Sequence, residues 1–274
     1  MLTLPRPDGS FEPELAAYLS ALAKRRRSVM FAFPPKSGGT FLRAAAIAAV
    51  NGQLARVVHA QGGRDATPYL PTYIHYLSGG YPRSTLVAHV HMQAFPANRH
   101  LIEALDLRPV IMLRSVPDML VSYLDMLEAE PPSPGHWLNM AIPQGFYAMD
   151  AAARVDFLID MIAPWYASYF ATWLDYVQVS PARVCVLTFG QLKADAAGAL
   201  STALAHSGLS CSPEVCELGA DVAWRERAGN RFNRGEQGRG GVRMSAAQLG
   251  RIETQLFRHY DLEPWRSHIM PVAA

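Results

Sequence analysis

The chain has 274 residues, half of them apolar, enough for a sizeable core in one large α/β unit or two small ones. Its 25 Lys and Arg against 23 Asp and Glu leave a formal charge of +2, too little to argue for nucleic acid or a membrane surface as the main partner. Any anion site must therefore be local. The N-terminus lacks the basic-then-apolar order of a secretory signal, and no stretch reaches about 18 apolar residues, so a cytoplasmic protein without a membrane span is expected.

Leu15, Tyr18, Leu19 and Leu22 recur at helical spacing and predict a helix over 12–26. The basic run Lys24-Arg25-Arg26-Arg27 would sit at its C-terminus, where positive charge is favourable. Val29 to Phe33, bounded by Pro34-Pro35, reads as a buried strand. After the loop PPKSGGT the chain becomes FLRAAAIAAV, a strong helix former. Thr85–His89 and Val110–Leu113 are further strands, with an amphipathic helix over 98–107 between them. Arg183–Phe189 is a fourth, followed by QLKADAAGALSTALAHSG as a helix. The stretch PEVCELGADVAWRERAGNRFNRGEQGRGGVRM has many arginines and glycines and little hydrophobic period, and reads as a linker or a functional loop. Alternating strands and helices predict an α/β fold, a parallel sheet covered on both faces, in a single domain over 1–274. Cys185 reads as a core residue, and Cys211 and Cys216 lack a second ligand pair with zinc spacing, so no metal site is expected.

A loop between a buried strand and a helix offers backbone N–H groups and the positive end of the helix dipole to an anion. Gly38 and Gly39 let the backbone approach, Lys36 supplies charge, and Ser37 and Thr40 supply hydroxyl groups. The alternative is an ordinary turn with an exposed lysine. The lysine precedes the glycines, the reverse of G-x-x-x-x-G-K-[ST], and no acidic magnesium ligand stands at a strand end. Arg114 follows the VIML strand, at the sheet edge where open α/β folds bind ligands, and its planar fork suits a phosphate. Pro117 fits the first turn of the next helix, which puts Ser122 one to two turns in. The competing reading pairs Arg114 with Asp118. His89 lies at a strand end and His91 on the same face if the strand continues; either neutral imidazole suits a general base, unless both are core histidines.

These motifs resemble the signatures of the sulfotransferases that use 3'-phosphoadenosine 5'-phosphosulfate (PAPS). The first signature, P-K-[SA]-G-[TN]-[TS]-[WF], is similar to Pro35-Lys36-Ser37-Gly38-Gly39-Thr40-Phe41. The second, R-[ND]-P-x-D-[VA]-x-x-S-[YF], is similar to the run from Arg114 to Tyr123, with Arg114, Asp118, Ser122 and Tyr123 matching and Pro117 one position after the signature's proline. The resemblance implies a P-loop NTPase-like sulfotransferase fold and in-line sulfuryl transfer from PAPS to a hydroxyl acceptor, a small molecule. It implies His89, with Pro96 seven positions on, as the base, with His91 competing. Lys36 and backbone donors of residues 37 to 40 would stabilise charge on the leaving group. Arg114, Ser122 and Arg234 would hold the 3'-phosphate, and Phe41 and Phe189 would lie near adenine. The run from Phe232 through Gly235 to Gly238 resembles a segment F-x-R-K-G-x-x-G that closes over the nucleotide, with Arg231 or Arg239 compensating for Asn233. Pro164 to Tyr176 resembles a tryptophan-bearing helix of the family. Val87 stands where a lysine is frequent, and Gly39 where a hydrogen-bonding side chain is. The acceptor pocket is expected between 59–84, with Tyr69, Tyr73 and Tyr76, and 128–150, with Trp137, Phe146 and Tyr147. No nucleic-acid partner and no metal are implied, and a homodimer is compatible. The rival classes are a non-catalytic protein that binds the desulfated nucleotide PAP, and a nucleotide phosphotransferase.

Overall fold

The computed structural model describes residues 11–24, 26–58, 68–78, 85–129, 136–137, 140–226 and 235–270. The elements begin α1 (Pro13–Ala23), β1 (Ser28–Ala32), α2 (Gly39–Ala49), β2 (Gln53–Ala55), α3 (Leu70–Leu77), β3 (Leu86–Val90), α4 (Pro96–Ala104), β4 (Pro109–Leu113) and α5 (Val116–Ala129). They continue β5 (His136–Trp137), β6 (Met140–Ala141), α6 (Ala151–Val179), β7 (Cys185–Thr188), α7 (Phe189–Ala194), α8 (Ala196–His206), α9 (Pro213–Arg225), α10 (Arg239–Arg243), α11 (Ala246–Phe257) and α12 (Arg266–Ile269). Five strands form one parallel sheet in the order β2-β3-β1-β4-β7, and β5 with β6 makes a short antiparallel ribbon.

The three central strands are apolar runs because both faces are covered. Val29, Phe31 and Phe33 point to a core layer shared with Leu42, Ala45 and Ala46 of α2, Leu200 of α8 and Cys216 of α9. Met30 and Ala32 point the other way, into a layer dominated by α5 and α6. Helix α6 drives an aromatic ridge under the sheet: Tyr166, Tyr169 and Trp173 are fully buried, and spacings of three and four align them on one face. Each polar tip finds a backbone carbonyl, as buried tyrosines and tryptophans require. The Tyr166 hydroxyl donates to Pro35 O at 3.0 Å, Tyr169 donates to Ala32 O, and the Trp173 indole donates to Met92 O at 3.1 Å.

Three expectations change. The helix predicted after the fourth strand is two, because Thr188 and Gln191 form a capping box on α7 and Asp195 caps α8 by accepting from Gly198 N at 2.8 Å. Residues 213–225, within the stretch read as irregular, form α9 on α2. Its buried stripe is small, Cys216, Gly219 and Ala223, and a Cβ on Gly219 would lie 2.7 Å from the Ala45 carbonyl oxygen. Finally, α1 ends at Ala23, and Arg26 is a strut, donating to Tyr76 O at 2.8 Å and Gln53 Oε1 at 3.0 Å.

Candidate active site

The loop from Pro34 to Gly38 leaves the C-terminal end of β1 and turns into α2. Lys36 has φ 63° and Gly38 φ 95°, with Ser37 outside the left-handed region between them. Such alternation aims successive N–H groups to one side, as in an anion-binding nest. Gly39 and Thr40 open α2, so their N–H groups lie among those that have no intrahelical acceptor. The Ser37 hydroxyl turns inward and donates to Pro34 O at 2.6 Å, bracing the turn, which leaves its backbone N–H as what it could offer an anion. Lys36, Thr40 and Phe41 are half-buried.

Arg114 leaves β4 on the adjacent strand and lies 7% exposed against the same loop. It does not pair directly with Asp118 at hydrogen-bond distance. Its guanidinium donates to Lys36 O at 2.6 Å and Glu236 O at 3.1 Å, and sits 3.9 Å over the Phe189 ring. Burial pulls its pKa down to about 10, against partial support from Asp118 and Tyr166. Its Nε is buried with no hydrogen-bond partner among the described residues. A buried guanidinium with one donor unsatisfied would be stabilised by an anion nearby. Ser122, nearly two turns into α5, is buried at 3% exposure.

Asp118 has a separate task that its place beside Arg114 does not reveal. Its carboxylate accepts from Gly238 N at 2.9 Å and Gly240 N at 2.7 Å, docking the C-terminal segment on the first turn of α5. The approach is close enough that a Cβ on Gly240 would lie 2.3 Å from Pro117 Cβ. Arg239 and Arg243 add contacts of 2.6 and 2.5 Å to Asp125. Arg239, one of two residues expected to compensate for Asn233, is thus committed to Asp125. Gly235 has φ 64° where the segment begins; Phe232 and Arg234, with Arg231 and Asn233, lie outside the described residues.

His89 is paired with Phe31 in the β1–β3 register and is 7% exposed. A Cβ on Gly39 would lie 2.3 Å from its Nε2 and 3.0 Å from Phe33 Cδ2, so the imidazole fills the space that a side chain at position 39 would enter. His91, just past the strand, places Nδ1 2.6 Å from Phe33 O. The two rings stand 5.0 Å apart at 88°. Loop, Arg114 and both histidines therefore converge on the C-terminal edge of the central strands. Phe189 packs below the loop, its ring 3.5 Å from a Cβ placed on Gly38 and one face covered by Arg114.

Of the aromatics assigned to an acceptor pocket, Tyr73 and Phe146 are fully buried and belong to the core. Tyr76 accepts from Arg56 N at 3.3 Å, and Tyr147 packs at 5.3 Å on Phe146. Tyr69 is exposed, and the side chain of Trp137 lies outside what is described. Among the described residues no helix is long and apolar enough to cross a membrane. No cluster of three His, Cys, Asp or Glu side chains among them is placed to hold a metal.

The chain matches no family model and no curated protein sequence. It does match solved structures. The crystal structure of mouse sulfotransferase SULT7A1 complexed with PAP aligns at a TM-score of 0.62 and 15% identity, covering 94% of each chain. Retinol dehydratase in complex with androsterone and the inactive cofactor PAP aligns at a TM-score of 0.54 and 11% identity, covering 96% of this chain and 89% of that one. Retinol dehydratase with retinol and PAP gives 0.54 and 10%, covering 95% and 87%. With its five-stranded parallel sheet, its strand-to-helix loop and this overlap along nearly the whole chain, the protein has the fold of the sulfotransferases.

Proposed function

We propose that the protein transfers a sulfuryl group from PAPS to a hydroxyl group of a small acceptor molecule. The observation that carries the proposal is the double grip of Arg114. One guanidinium holds the carbonyl of the lysine in the first motif and that of Glu236 in the C-terminal segment, so the segments expected to enclose the nucleotide meet at one buried cation. A nucleotide phosphotransferase has less support, because the lysine stands before the glycines of the loop. Three cysteines with no disulfide fit a reducing, cytoplasmic compartment.

PAPS, when bound, supplies a sulfuryl group activated by a 5'-phosphate leaving group. Lys36 and the N–H groups of Ser37 to Thr40 hold the 5' end and balance the charge that develops there, a preorganised electrostatic role. Arg114 and Ser122 hold the 3'-phosphate, with Arg234 as a further basic contact and Phe41 and Phe189 on the adenine side. An imidazole at the end of β3 accepts the proton of the acceptor hydroxyl. A small apolar acceptor is favoured because the retinol dehydratase structures hold androsterone and retinol beside PAP.

The test is incubation with sulfur-labelled PAPS and a panel of apolar alcohols and phenols, followed by separation of the products. Label on an acceptor is the expected result. Tight PAP binding without transfer to any acceptor would instead favour the non-catalytic binding protein.

A further inference from the structure

We propose that Arg43 and Arg56 form a second anion site, beside β2 at the edge of the sheet, and that it takes an anionic group, a carboxylate or a phosphate or sulfate ester, carried by the acceptor. The inference rests on the sulfuryl-transfer reading above and adds a negative charge to its small apolar acceptor. Arg43 lies on α2 four residues after Gly39, on the stripe of the helix that faces His89. It is half-buried, and its Nε is enclosed with no hydrogen-bond partner among the described residues, while its terminal nitrogens remain open to solvent. Arg99, Arg154, Arg183, Arg239, Arg251 and Arg266 are half-buried too, and each lies within 3.1 Å of a carboxylate. The charged neighbour that Arg43 feels is instead a second guanidinium, that of Arg56. Burial first, and then this neighbour, hold the Arg43 pKa below its usual value.

Arg56 reaches the same place from the sheet. Leu54 and Ala55 of β2 pair with Val87 and Ala88 of β3, so Arg56 comes level with His89 and, by the alternation of a strand, on the face that Val87 and His89 turn to α2. Its side chain is exposed, and its backbone N–H is tied to the Tyr76 hydroxyl at 3.3 Å. Two guanidiniums that no carboxylate separates repel, and an anion bound between them turns that cost into two charge-assisted contacts. The site is distinct from the one that Arg114 serves: β2 and β4 lie three strand spacings apart, about 14 Å, with the loop after β1 between them. The histidine-bearing β3 is one spacing from β2, about 5 Å. An acceptor whose hydroxyl meets the end of β3 reaches the pair when its anionic group lies about 5–10 Å from that hydroxyl, a span open to a small molecule.

The experiment compares hydroxy acids of that length with their carboxamides of the same shape, in turnover from labelled PAPS by wild type, Arg43→Gln, Arg56→Gln and Arg56→Glu. PAP affinity by calorimetry serves as a control on the fold. Wild type is expected to prefer the carboxylate by about tenfold or more in kcat/KM, the effect of one charge-assisted contact, expressed in KM. The ratio should fall toward one in Arg43→Gln and Arg56→Gln and below one in Arg56→Glu, while each variant binds PAP within about twofold of wild type, as separate sites require. Arg56 is exposed, so its two variants keep the test decisive where Arg43→Gln fails to fold. A wild-type ratio near one, or a ratio unchanged in both Arg56 variants, would overturn the site while leaving sulfuryl transfer intact. If the ratio is near one and inorganic phosphate still binds wild type but not Arg56→Glu, the pair holds a free anion and the acceptor assignment falls. Absence of transfer from PAPS to every acceptor, neutral or anionic, removes the underlying reading and this inference with it.

Discussion

Lys36 holds φ 63°, a left-handed conformation that costs a residue with a side chain about 1–3 kcal/mol. The hydrogen bond from Arg114 to its carbonyl and that from Tyr166 to the carbonyl before it keep the turn in place. On the sulfuryl-transfer reading, strain retained at this charged residue serves the site and not the fold. Lys36→Gly is accordingly expected to raise unfolding free energy by about 0.5–1 kcal/mol in denaturant titration while PAP binding is lost. Gly39 gives the opposite case. Gly39→Ala drives a Cβ into His89 and should destabilise by about 1–3 kcal/mol, the cost of overpacking. The same substitution in a His89→Ala background should cost far less, and a cycle of the four proteins measures the coupling. Arg114 completes the residue scale. Its pKa is depressed by burial, so the unfolded chain holds the proton more firmly and the buried guanidinium is a net cost until pH rises through about 10 toward the unfolded value. An anion beside it offsets that cost.

Among the elements, α5 and α6 organise the site without lending a reacting atom. Asp118 ties Gly238 and Gly240 to the first turn of α5. Asp118→Ala removes two charge-assisted bonds, and hydrogen exchange at the amides of Gly238 and Gly240 should accelerate by about 10- to 100-fold, with weaker PAP binding and little change in the exchange of β1 and β4. Unchanged protection would show that Arg239 and Arg243 hold the segment alone. Helix α6 supports the loop from beneath. Tyr166→Phe leaves the Pro35 carbonyl without that donor and should cost about 1 kcal/mol of stability. The central strands were legible in the sequence because strands buried on both faces read as unbroken apolar runs, and so were the places of Arg114 after a strand end and of Pro117 and Ser122 in the first two turns of the next helix. Helix α9 was not, since its buried stripe of Cys216, Gly219 and Ala223 has no large apolar side chain to set a period. Nor were the contacts of Asp118 and Tyr166, each made across more than a hundred residues. Only the folded chain brings those partners together.

At the scale of the molecule, a formal charge of +2 spread over 274 residues provides no general attraction for anions, so selectivity must come from a few groups at one sheet edge. The parallel order β2-β3-β1-β4-β7 brings His89 and His91, the loop after β1 and Arg114 to that edge from three neighbouring strands. A ligand that joins these strands to the docked C-terminal segment should stabilise the whole fold. PAP at about a hundredfold above its Kd is expected to add about 2.7 kcal/mol and raise Tm, while adenosine 5'-phosphate at the same concentration adds less. The most direct test of the central claim, a site built for a nucleotide with a 3'-phosphate, is calorimetric titration of the wild-type protein with PAP, ADP and ATP. PAP should bind at least about tenfold more tightly than either, since one charge-assisted contact to the extra phosphate is worth that much. ATP binding as tight as that of PAP would contradict it.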